Sequence, residues 1–304
     1  MPFQLTVHSI DKVSKGCLYL PKRRHITSSN IIKMQKQGRG LGQREGYKPW
    51  ITVRDVSSKG FVHRIKGWKT KRVHHLLSNL ELSLFYTLEW AFNVVDIREK
   101  YPLLPLDRTL EIAKRFGINH PMDKNKNEAI VMTTDFLVDI HFEQTTKMIA
   151  YSIMPSNRRN LKRVLQKTFL ERTFWKEQGI DFLVVTEKDI NENLVRNMEW
   201  LHDAKELTLS PGISIEKIYH IESVLFNKIK TSTLPLAKVC KEMDKDFDLE
   251  SGVSLWVVRH LIANRLWIVD MSKKIITTKY VPIDRSNKLI SMLRKEYSTY
   301  DFGS

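Results

Sequence analysis

Apolar residues recur along the chain with two different spacings, a period of two and a period near 3.6, which separate predicted strands from predicted helices. Residues 133–140 alternate strictly, with Phe136 and Val138 on one side and Asp135 and Leu137 on the other. Such alternation is typical of a half-buried strand. The pattern therefore places Asp135 within a strand rather than in a loop.

The rest of the first 188 residues mixes the same two patterns. The expected elements are a helix at 73–91, strands at 93–98 and 148–154, a helix at 160–176 and a strand at 182–185. The residues of the 160–176 helix that we expect to face inward are Leu161, Val164, Leu165, Phe169 and Trp175. Strands followed by helices over this length favour an α/β core.

The helix predicted at 73–91 carries a carboxylate on its apolar side. Leu77, Glu81, Leu84 and Leu88 follow the i, i+4, i+7, i+11 spacing of one helical stripe. A buried carboxylate needs a partner, a metal ion or a raised pKa. The alternative is that Glu81 lies at the edge of the stripe and reaches solvent, and the pattern leaves both interpretations open.

The composition changes after about Thr186. Helical patterns occur at 213–229, 236–243 and 255–264, and two apolar runs, LWIVD and ITTKYVP, then predict a two-stranded ribbon before a helix near 287–297. Three helices with a β-hairpin describe a winged-helix domain. A generic helical domain is the alternative.

Basic residues are concentrated in the first quarter of the chain. The 304 residues hold 50 Lys and Arg against 34 Asp and Glu, a net charge of +16, and residues 1–75 alone hold 17 against three. Trp50, Phe61 and Trp68 are interleaved with this charge, which favours nucleic acid as the partner over a merely solubilising segment. The candidate DNA-binding residues are Arg39, Arg44, Arg54, Lys66, Lys69 and Arg72.

Cysteine usage and hydropathy bear on the cellular compartment. Cys17 and Cys240 lie far apart without metal-type spacing, which is typical of a protein from a reducing compartment. The sequence contains no run of 18 apolar residues and no recognisable signal peptide. We therefore expect a cytoplasmic protein.

Several motifs in order give the chain a specific resemblance. The segments YKPWITVRDVSSKGFVHRI, KTKRVHHLLSNLEL, LEWAFNVVDIREKYPLLP, MTTDFLVD and ERTFWKEQGIDFLVVTEKDINENLVRNMEWL resemble TnsA, the endonuclease subunit of heteromeric cut-and-paste transposases. The similarity covers most of residues 45–270. It implies a restriction-endonuclease-like domain at 46–188 and a winged-helix-like domain at 189–304. Residues 1–45 have weak periodicity and a basic, glycine-rich segment, which predicts a flexible basic arm.

The resemblance also implies partners and a reaction. TnsA-type subunits cut the 5′ ends of the element, while a DDE transposase, TnsB, cuts and joins the 3′ ends, and an AAA+ protein, TnsC, regulates both. We accordingly expect DNA, a TnsB-like transposase and a TnsC-like regulator as partners, and Mg²⁺ or Mn²⁺ as cofactor. Trp256 and Tyr280 are candidate anchors for a protein partner, because aromatic side chains often anchor interfaces.

The family's catalytic set comprises a Glu, an Asp and a Gln-x-Lys on the following strand. The Glu matches Glu81 and the Asp matches Asp135, whereas the Gln-x-Lys falls on Ser152, Ile153 and Met154. Metal ligation is therefore expected from Glu81, Asp135 and Ser152. Ser152 is a neutral, poor ligand, so the metal should bind weakly.

Met154 stands at the position of the family lysine and carries no charge. Loss of a well-placed electrostatic group commonly reduces a reaction rate by about 10²–10³-fold. Three functions remain open from the sequence. The first is an active metal-dependent endonuclease, and the second is a weak or inactive subunit kept for binding DNA and partners. The third, outside transposition, is a basic winged-helix DNA-binding protein with a decayed nuclease domain. Another basic residue, such as Lys147, Arg158 or Lys162, could also supply the positive charge that Met154 lacks.

Overall fold

The computed structural model describes residues 22–23, 27–57, 61–123, 125–289 and 291. The chain divides into two compact units, Met1–Ile190 and Asn191–Ser304. Within the described part of the chain, no helix has the length and apolar character needed to cross a membrane.

The described residues of the first unit form four helices and ten strands. The helices are α1 (Ile31–Lys36), α2 (Asn79–Trp90), α3 (Leu106–Arg115) and α4 (Lys162–Lys176). The strands are β1 (Lys22–Arg23), β2 (Val56–Ser57), β3 (His63–Lys66), β4 (Val73–Leu76), β5 (Val94–Pro102), β6 (Met122–Asp123), β7 (Glu128–Ala129), β8 (Thr133–Phe142), β9 (Thr145–Ile153) and β10 (Asp181–Val185).

A four-stranded sheet with the order β10-β9-β8-β5 is the centre of this unit. Strand β10 runs parallel to β9, while the β9–β8 and β8–β5 pairs are antiparallel. Helices α3 and α4 pack on the sheet, and the shared core includes Ile112, Leu137, Ala150, Leu170 and Phe174. The mixed sheet with packed helices confirms the α/β expectation.

The helix predicted from residue 73 begins later than its pattern indicated. Residues Val73–Leu76 form β4, which pairs antiparallel with β3. The Ser78 hydroxyl accepts a hydrogen bond from the Glu81 backbone nitrogen and starts α2 at Asn79. Apolar residues on both sides of this N-cap have helical spacing, so periodicity alone did not reveal the boundary.

The predicted inward side of α4 is correct only in part, because Trp175 is buried as predicted. Leu161, Leu165 and Phe169 are exposed, whereas Leu170 and Glu171 are buried. This helix carries apolar side chains on more than one side, so its spacing allows two orientations. Contact with the sheet determines which side is buried.

The segment before residue 46 is folded over part of its length. The sequence predicted a flexible arm, but Ile31–Lys36 forms α1. Arg39 donates hydrogen bonds to the Trp50 carbonyl and to Asp55, at 3.0 and 2.6 Å. The residues before 22, together with 24–26, lie outside the described residues.

The second unit is helical with one short ribbon. Its helices are α5 (Glu192–Leu201), α6 (Ile215–Thr231), α7 (Leu236–Asp246) and α8 (Val253–Ala263), and its strands are β11 (Trp267–Ile268) and β12 (Asp284–Arg285). Trp267 is buried and donates its indole N–H to Glu222 at 2.6 Å. Helix α5 was not predicted, and most of the helix predicted at 287–297 lies outside the described residues.

The ribbon expected from ITTKYVP is wrong in its second strand. Strand β11 pairs with β12, which follows that segment. The carbonyls of Thr277 and Lys279 instead accept hydrogen bonds from the Ala237 and Leu236 backbone nitrogens, both at 2.9 Å. These are N–H groups in the first turn of α7, which have no partner within their own helix, so the apolar segment caps a helix.

Candidate active site

Two acidic side chains from separate elements converge on one lysine. Lys100 Nζ lies 3.0 Å from Glu81 Oε1 and 2.5 Å from Asp135 Oδ1. Glu81 comes from the first turn of α2, Asp135 from β8 and Lys100 from β5. The structure thus brings together the two carboxylates that the sequence singled out, which lie 54 positions apart in the chain.

The start of α2 fixes the position of Glu81. Its Oε2 accepts a hydrogen bond from the Leu77 backbone nitrogen at 2.8 Å, and its own backbone nitrogen donates to the Ser78 hydroxyl. This reciprocal arrangement resembles a capping box. Glu81 is 5% exposed, so of the two interpretations left open, the partnered buried carboxylate is correct and the solvent-reaching one is wrong.

The sheet fixes Asp135 between two neighbouring strands. The pairs Glu99↔Phe136 and Tyr101↔Thr134 place Asp135 opposite Lys100 on β5. On its other side, Asp135 Oδ2 accepts a hydrogen bond from the Ile153 backbone nitrogen of β9 at 2.7 Å. Each Asp135 oxygen therefore has its own hydrogen-bond donor.

Ser152 and Met154 are buried on and after β9. Ser152 is 7% exposed and hydrogen-bonds through its side chain to Glu171. Met154 is 9% exposed, and its backbone nitrogen donates to the Val185 carbonyl at 3.0 Å. A thioether has no proton to donate and no charge, so Met154 cannot perform the work of a lysine.

Glu171 is an acidic residue of this region that the sequence did not reveal. Burial and the nearby charge of Asp135 raise the pKa of the Glu171 carboxyl to about 8. Its Oε1 accepts a hydrogen bond from the Thr134 hydroxyl at 2.7 Å. A glutamate beside the buried Leu170 and Phe174 of α4 was the available signal, but the predicted orientation of the helix concealed it.

Lys100 was also missed, although it lies within the DIREKYPLLP segment. It is 0% exposed, and its backbone φ of 50° is left-handed. A buried lysine requires paired carboxylates. The pairing depends on the fold, because nothing near Lys100 in sequence indicates that Glu81 and Asp135 surround it.

The donor set fits a hard divalent cation. Mg²⁺ is usually held by one or two carboxylates, with water and phosphate oxygens completing its coordination. Glu81 and Asp135 supply two carboxylates, which already surround the ammonium of Lys100. Among the residues that the structure describes, no group of three or more His, Cys, Asp or Glu side chains has a metal-binding arrangement. A metal here would depend on water and substrate for its remaining ligands.

Arg72 was predicted to contact DNA, but its side chain is buried and paired inside the protein. It donates to both Glu99 carboxylate oxygens at 2.8 and 2.5 Å and is 8% exposed. His74 Nδ1 lies 2.8 Å from the same carboxylate. Burial alone raises the pKa of Glu99, but the His74 charge and the Arg72 hydrogen bonds outweigh it and leave that pKa well below its usual range.

The other basic candidates differ in exposure. Arg44, Arg54 and Lys66 are exposed. Lys69 is half-buried and donates its ammonium to the Val94 carbonyl at 2.7 Å, and Arg39 is paired with Asp55. The three exposed side chains are therefore the ones best able to reach a phosphate.

Of the two aromatic candidates for partner contact, one is buried and one is exposed. Trp256 is 8% exposed and stacks on His260, with ring centroids 5.1 Å apart. It faces the helical core, because it lies on the buried side of α8 with Val257 and Leu261. Tyr280 is 42% exposed and stays a candidate.

A mixed sheet and a helix thus hold two carboxylates around a lysine, an arrangement that fits an endonuclease. The chain belongs to the TnsA family of transposition endonucleases. The family description "TnsA-like endonuclease N terminal" matches residues 92–187, and "TnsA endonuclease C terminal" matches residues 189–271. The Transposon Tn7 transposition protein TnsA of Escherichia coli is 40% identical over 237 residues, which are 77% of this chain and 83% of that protein.

Proposed function

We propose that this chain is the subunit that cleaves the 5′ ends of a transposon by metal-dependent phosphodiester hydrolysis. It would act in a complex with a TnsB-like DDE transposase and a TnsC-like AAA+ regulator. The observation that carries the proposal is the convergence of Glu81 and Asp135, which the fold brings within hydrogen-bonding distance of one ammonium group. Family membership supports the choice of transposon DNA as substrate.

Glu81, Asp135 and the Ser152 hydroxyl are the groups that would hold Mg²⁺ or Mn²⁺. A metal ion bound to such ligands lowers the pKa of a coordinated water and stabilises charge on the attacked phosphate. Binding should be weak, since only two of the three groups are carboxylates. The Ile153 backbone N–H, at 2.7 Å from Asp135 Oδ2, orients that carboxylate.

The proposal includes the architecture that the resemblance implies. The four-stranded mixed sheet with α3 and α4 supports a restriction-endonuclease-like nuclease domain at 46–188. Helices α6 to α8 with the β11–β12 ribbon support a winged-helix-like domain at 189–304. The exposed Arg44, Arg54 and Lys66 would contact DNA phosphates.

The second candidate function is a DNA- and partner-binding subunit that cuts weakly or not at all. The observation in its favour is that Ser152 and Met154 occupy the positions of the family's Gln-x-Lys. Such a subunit would leave the 5′ ends uncut while the transposase joins the 3′ ends. The products would then be joined donor–target molecules rather than simple insertions.

One cleavage assay separates the two functions. The full chain is combined with the transposase and regulator of the same element, a donor plasmid carrying the transposon ends, and Mg²⁺, and each 5′ strand is followed by primer extension. We expect 5′ cleavage that falls at least about 10²-fold in Glu81→Gln and Asp135→Asn. Asp107→Asn, an exposed acidic position in α3, is the matched control and should cut like the wild type.

Uncut 5′ strands in the wild type, together with normal 3′ cleavage, would establish the second function instead. Efficient 5′ cleavage that survives both carboxylate substitutions would place the chemistry elsewhere.

A further inference from the structure

We infer that Lys100 replaces the lysine missing at position 154 and supplies the positive charge for DNA cleavage from the opposite side of Asp135. The inference rests on the proposed function. It assigns to this chain a rearranged site, in which the cation comes from β5 rather than from the end of β9.

The register of the sheet supports this exchange of positions. Lys100 lies opposite Asp135 on β5, and Phe136↔Tyr151 is the pair next to Asp135 on the β9 side. Continuing that register by one residue brings Ser152 opposite Asp135. Lys100, Asp135 and Ser152 thus form one row across three adjacent strands, and Lys100 and Ser152 flank the same carboxylate.

The local backbone shows that Lys100 is held in an unusual conformation. Its φ of 50° is left-handed, within a strand whose neighbours Glu99 and Tyr101 keep regular pairs with β8. Residues other than glycine rarely adopt this conformation, and those that do tend to cluster at functional sites. The Trp50 backbone nitrogen donates to the Lys100 carbonyl at 3.2 Å, so the residue is fixed from outside the sheet as well.

Lys147, one of the three alternative cations that the sequence offered, is not at the site. Lys147 pairs across the β8–β9 hairpin with Ile140, five residues from Asp135 along β8, or roughly 16 Å. Its ammonium lies 4.1 Å from the centroid of the Phe142 ring near the turn. Lys100 is already in contact with both carboxylates and requires no rearrangement of the strand.

The proposed role is electrostatic. Water oxygen bonds to phosphorus, the bond to the leaving oxygen breaks, and the proton released by the water is balanced by one gained by the leaving oxygen. Lys100 forms no covalent bond and offsets the charge that develops on the phosphate. Its ammonium contacts oxygens of Glu81 and Asp135 that a divalent ion would use, so it would also compete with that ion.

The test combines cleavage with metal binding in the absence of DNA. Lys100→Met removes the charge, and Lys100→Gln keeps a hydrogen-bond donor between the carboxylates as a milder change that preserves folding. Ca²⁺ binding is measured by the shift in melting temperature of the full chain. We expect both variants to bind Ca²⁺ more tightly than the wild type, yet to lose about 10²–10³-fold in 5′ cleavage rate.

A rescue variant tests whether positions 100 and 154 perform the same work. Lys100→Met combined with Met154→Lys should regain at least tenfold of the lost cleavage, since it returns a lysine to the position of the family lysine. Lys100→Met combined with Asp107→Asn, an exposed substitution outside the site, is the control and should regain none of the lost cleavage. If the folded double variant still binds Ca²⁺ but regains no cleavage, the inference that Lys100 replaces the lysine missing at position 154 would be overturned.

Two further outcomes would also overturn the inference. One is wild-type cleavage by Lys100→Met, which would make the lysine a structural counter-charge. The other is an unchanged Ca²⁺ affinity, which would mean that the ammonium does not occupy the metal-binding oxygens. Failure of the proposed function is distinguishable, because the wild type itself would then leave the 5′ ends uncut or would cut without Glu81 and Asp135.

Discussion

Lys100 and Asp135 face each other across neighbouring strands, with Nζ and Oδ1 separated by 2.5 Å. Glu81 completes a cluster of two negative charges and one positive charge in a largely buried place. The cluster lacks one positive charge for neutrality. A divalent cation is therefore attracted by the carboxylates and opposed by the lysine, which should make metal binding weak.

Metal binding by the isolated chain is the first prediction. Mg²⁺ or Ca²⁺ should raise the melting temperature only at about millimolar concentration, because two carboxylates and a competing ammonium form a poor preformed site. Asp135→Asn should abolish the effect, and Asp107→Asn should leave it intact. Differential scanning fluorimetry at increasing metal concentration measures this rise in melting temperature. A rise in Asp135→Asn equal to that of the wild type would place the ion at another site.

Acid sensitivity is the second prediction, and it comes from Glu99. Its folded-state pKa is lowered, so the pairing with Arg72 and His74 stabilises the protein fully above the unfolded pKa of about 4.5 and is lost as the pH falls from there toward the folded pKa. Glu99→Gln should cost about 3–5 kcal/mol at pH 7, because it leaves Arg72 buried without its carboxylate.

Urea unfolding at pH 7 and at pH 4 measures both parts of this prediction. The Glu99→Gln protein should lose less stability between the two pH values than the wild type does. The exposed pair of Glu177 with Arg115 provides the matched control, and Glu177→Gln should change unfolding at pH 7 by under about 1 kcal/mol. An equal loss in wild type and Glu99→Gln would remove Glu99 from the acid response.

The sequence predicted the central strands well, because each is a short apolar or alternating segment flanked by polar residues. Strands β8, β9 and β10 lie close to the predicted positions. The start of α2 was not predictable from spacing, since the Ser78 cap separates two segments with the same periodicity. The orientation of α4 was equally hidden, because only contact with the sheet selects which of its apolar sides is buried.

The residues of the candidate site also fall into those that the sequence predicted and those that it did not. Glu81 and Asp135 were predictable because a local pattern and a family resemblance both point to them. Lys100 was not, since its role depends on a strand register and on a left-handed backbone at one residue. Charge pairing between residues far apart in the chain leaves little trace in a single sequence. The absence of a lysine at position 154 could therefore be seen from the sequence, whereas its replacement by Lys100 could not.

DNA affinity is the third prediction. Alanine at Arg44, Arg54 or Lys66 should weaken binding of a transposon-end duplex and reduce the slope of log K against log salt by about 0.9 per lost phosphate contact. These side chains are exposed and free to approach a phosphate. Lys241→Ala, exposed on α7 of the second unit, is the control, and fluorescence anisotropy at several salt concentrations is the measurement.

Arg72→Ala should behave differently from the exposed set. Its loss should reduce the free energy of unfolding, because the buried Glu99 loses its main partner. The slope of log K for DNA binding against log salt, measured on the folded Arg72→Ala protein, should stay unchanged. A normal slope in the combined Arg44, Arg54 and Lys66 variant would show that the basic surface does not bind DNA.

Partner contact by the second unit is the fourth prediction. Tyr280 is 42% exposed, and an exposed aromatic side chain can contribute at least about 1 kcal/mol to an interface. Tyr280→Ala should weaken binding of the TnsC-like regulator of the same element about tenfold without changing the melting temperature. Tyr280→Phe keeps the ring and should bind like the wild type.

Trp256→Ala separates an interface effect from a folding effect. Trp256 is buried against His260, so its truncation should destabilise the second unit by about 3–5 kcal/mol. Any loss of regulator binding should then follow the unfolded fraction, which circular dichroism measures at the temperature of the binding assay. Normal binding by Tyr280→Ala, or a binding defect in a fully folded Trp256→Ala protein, would reverse the assignment of the two side chains.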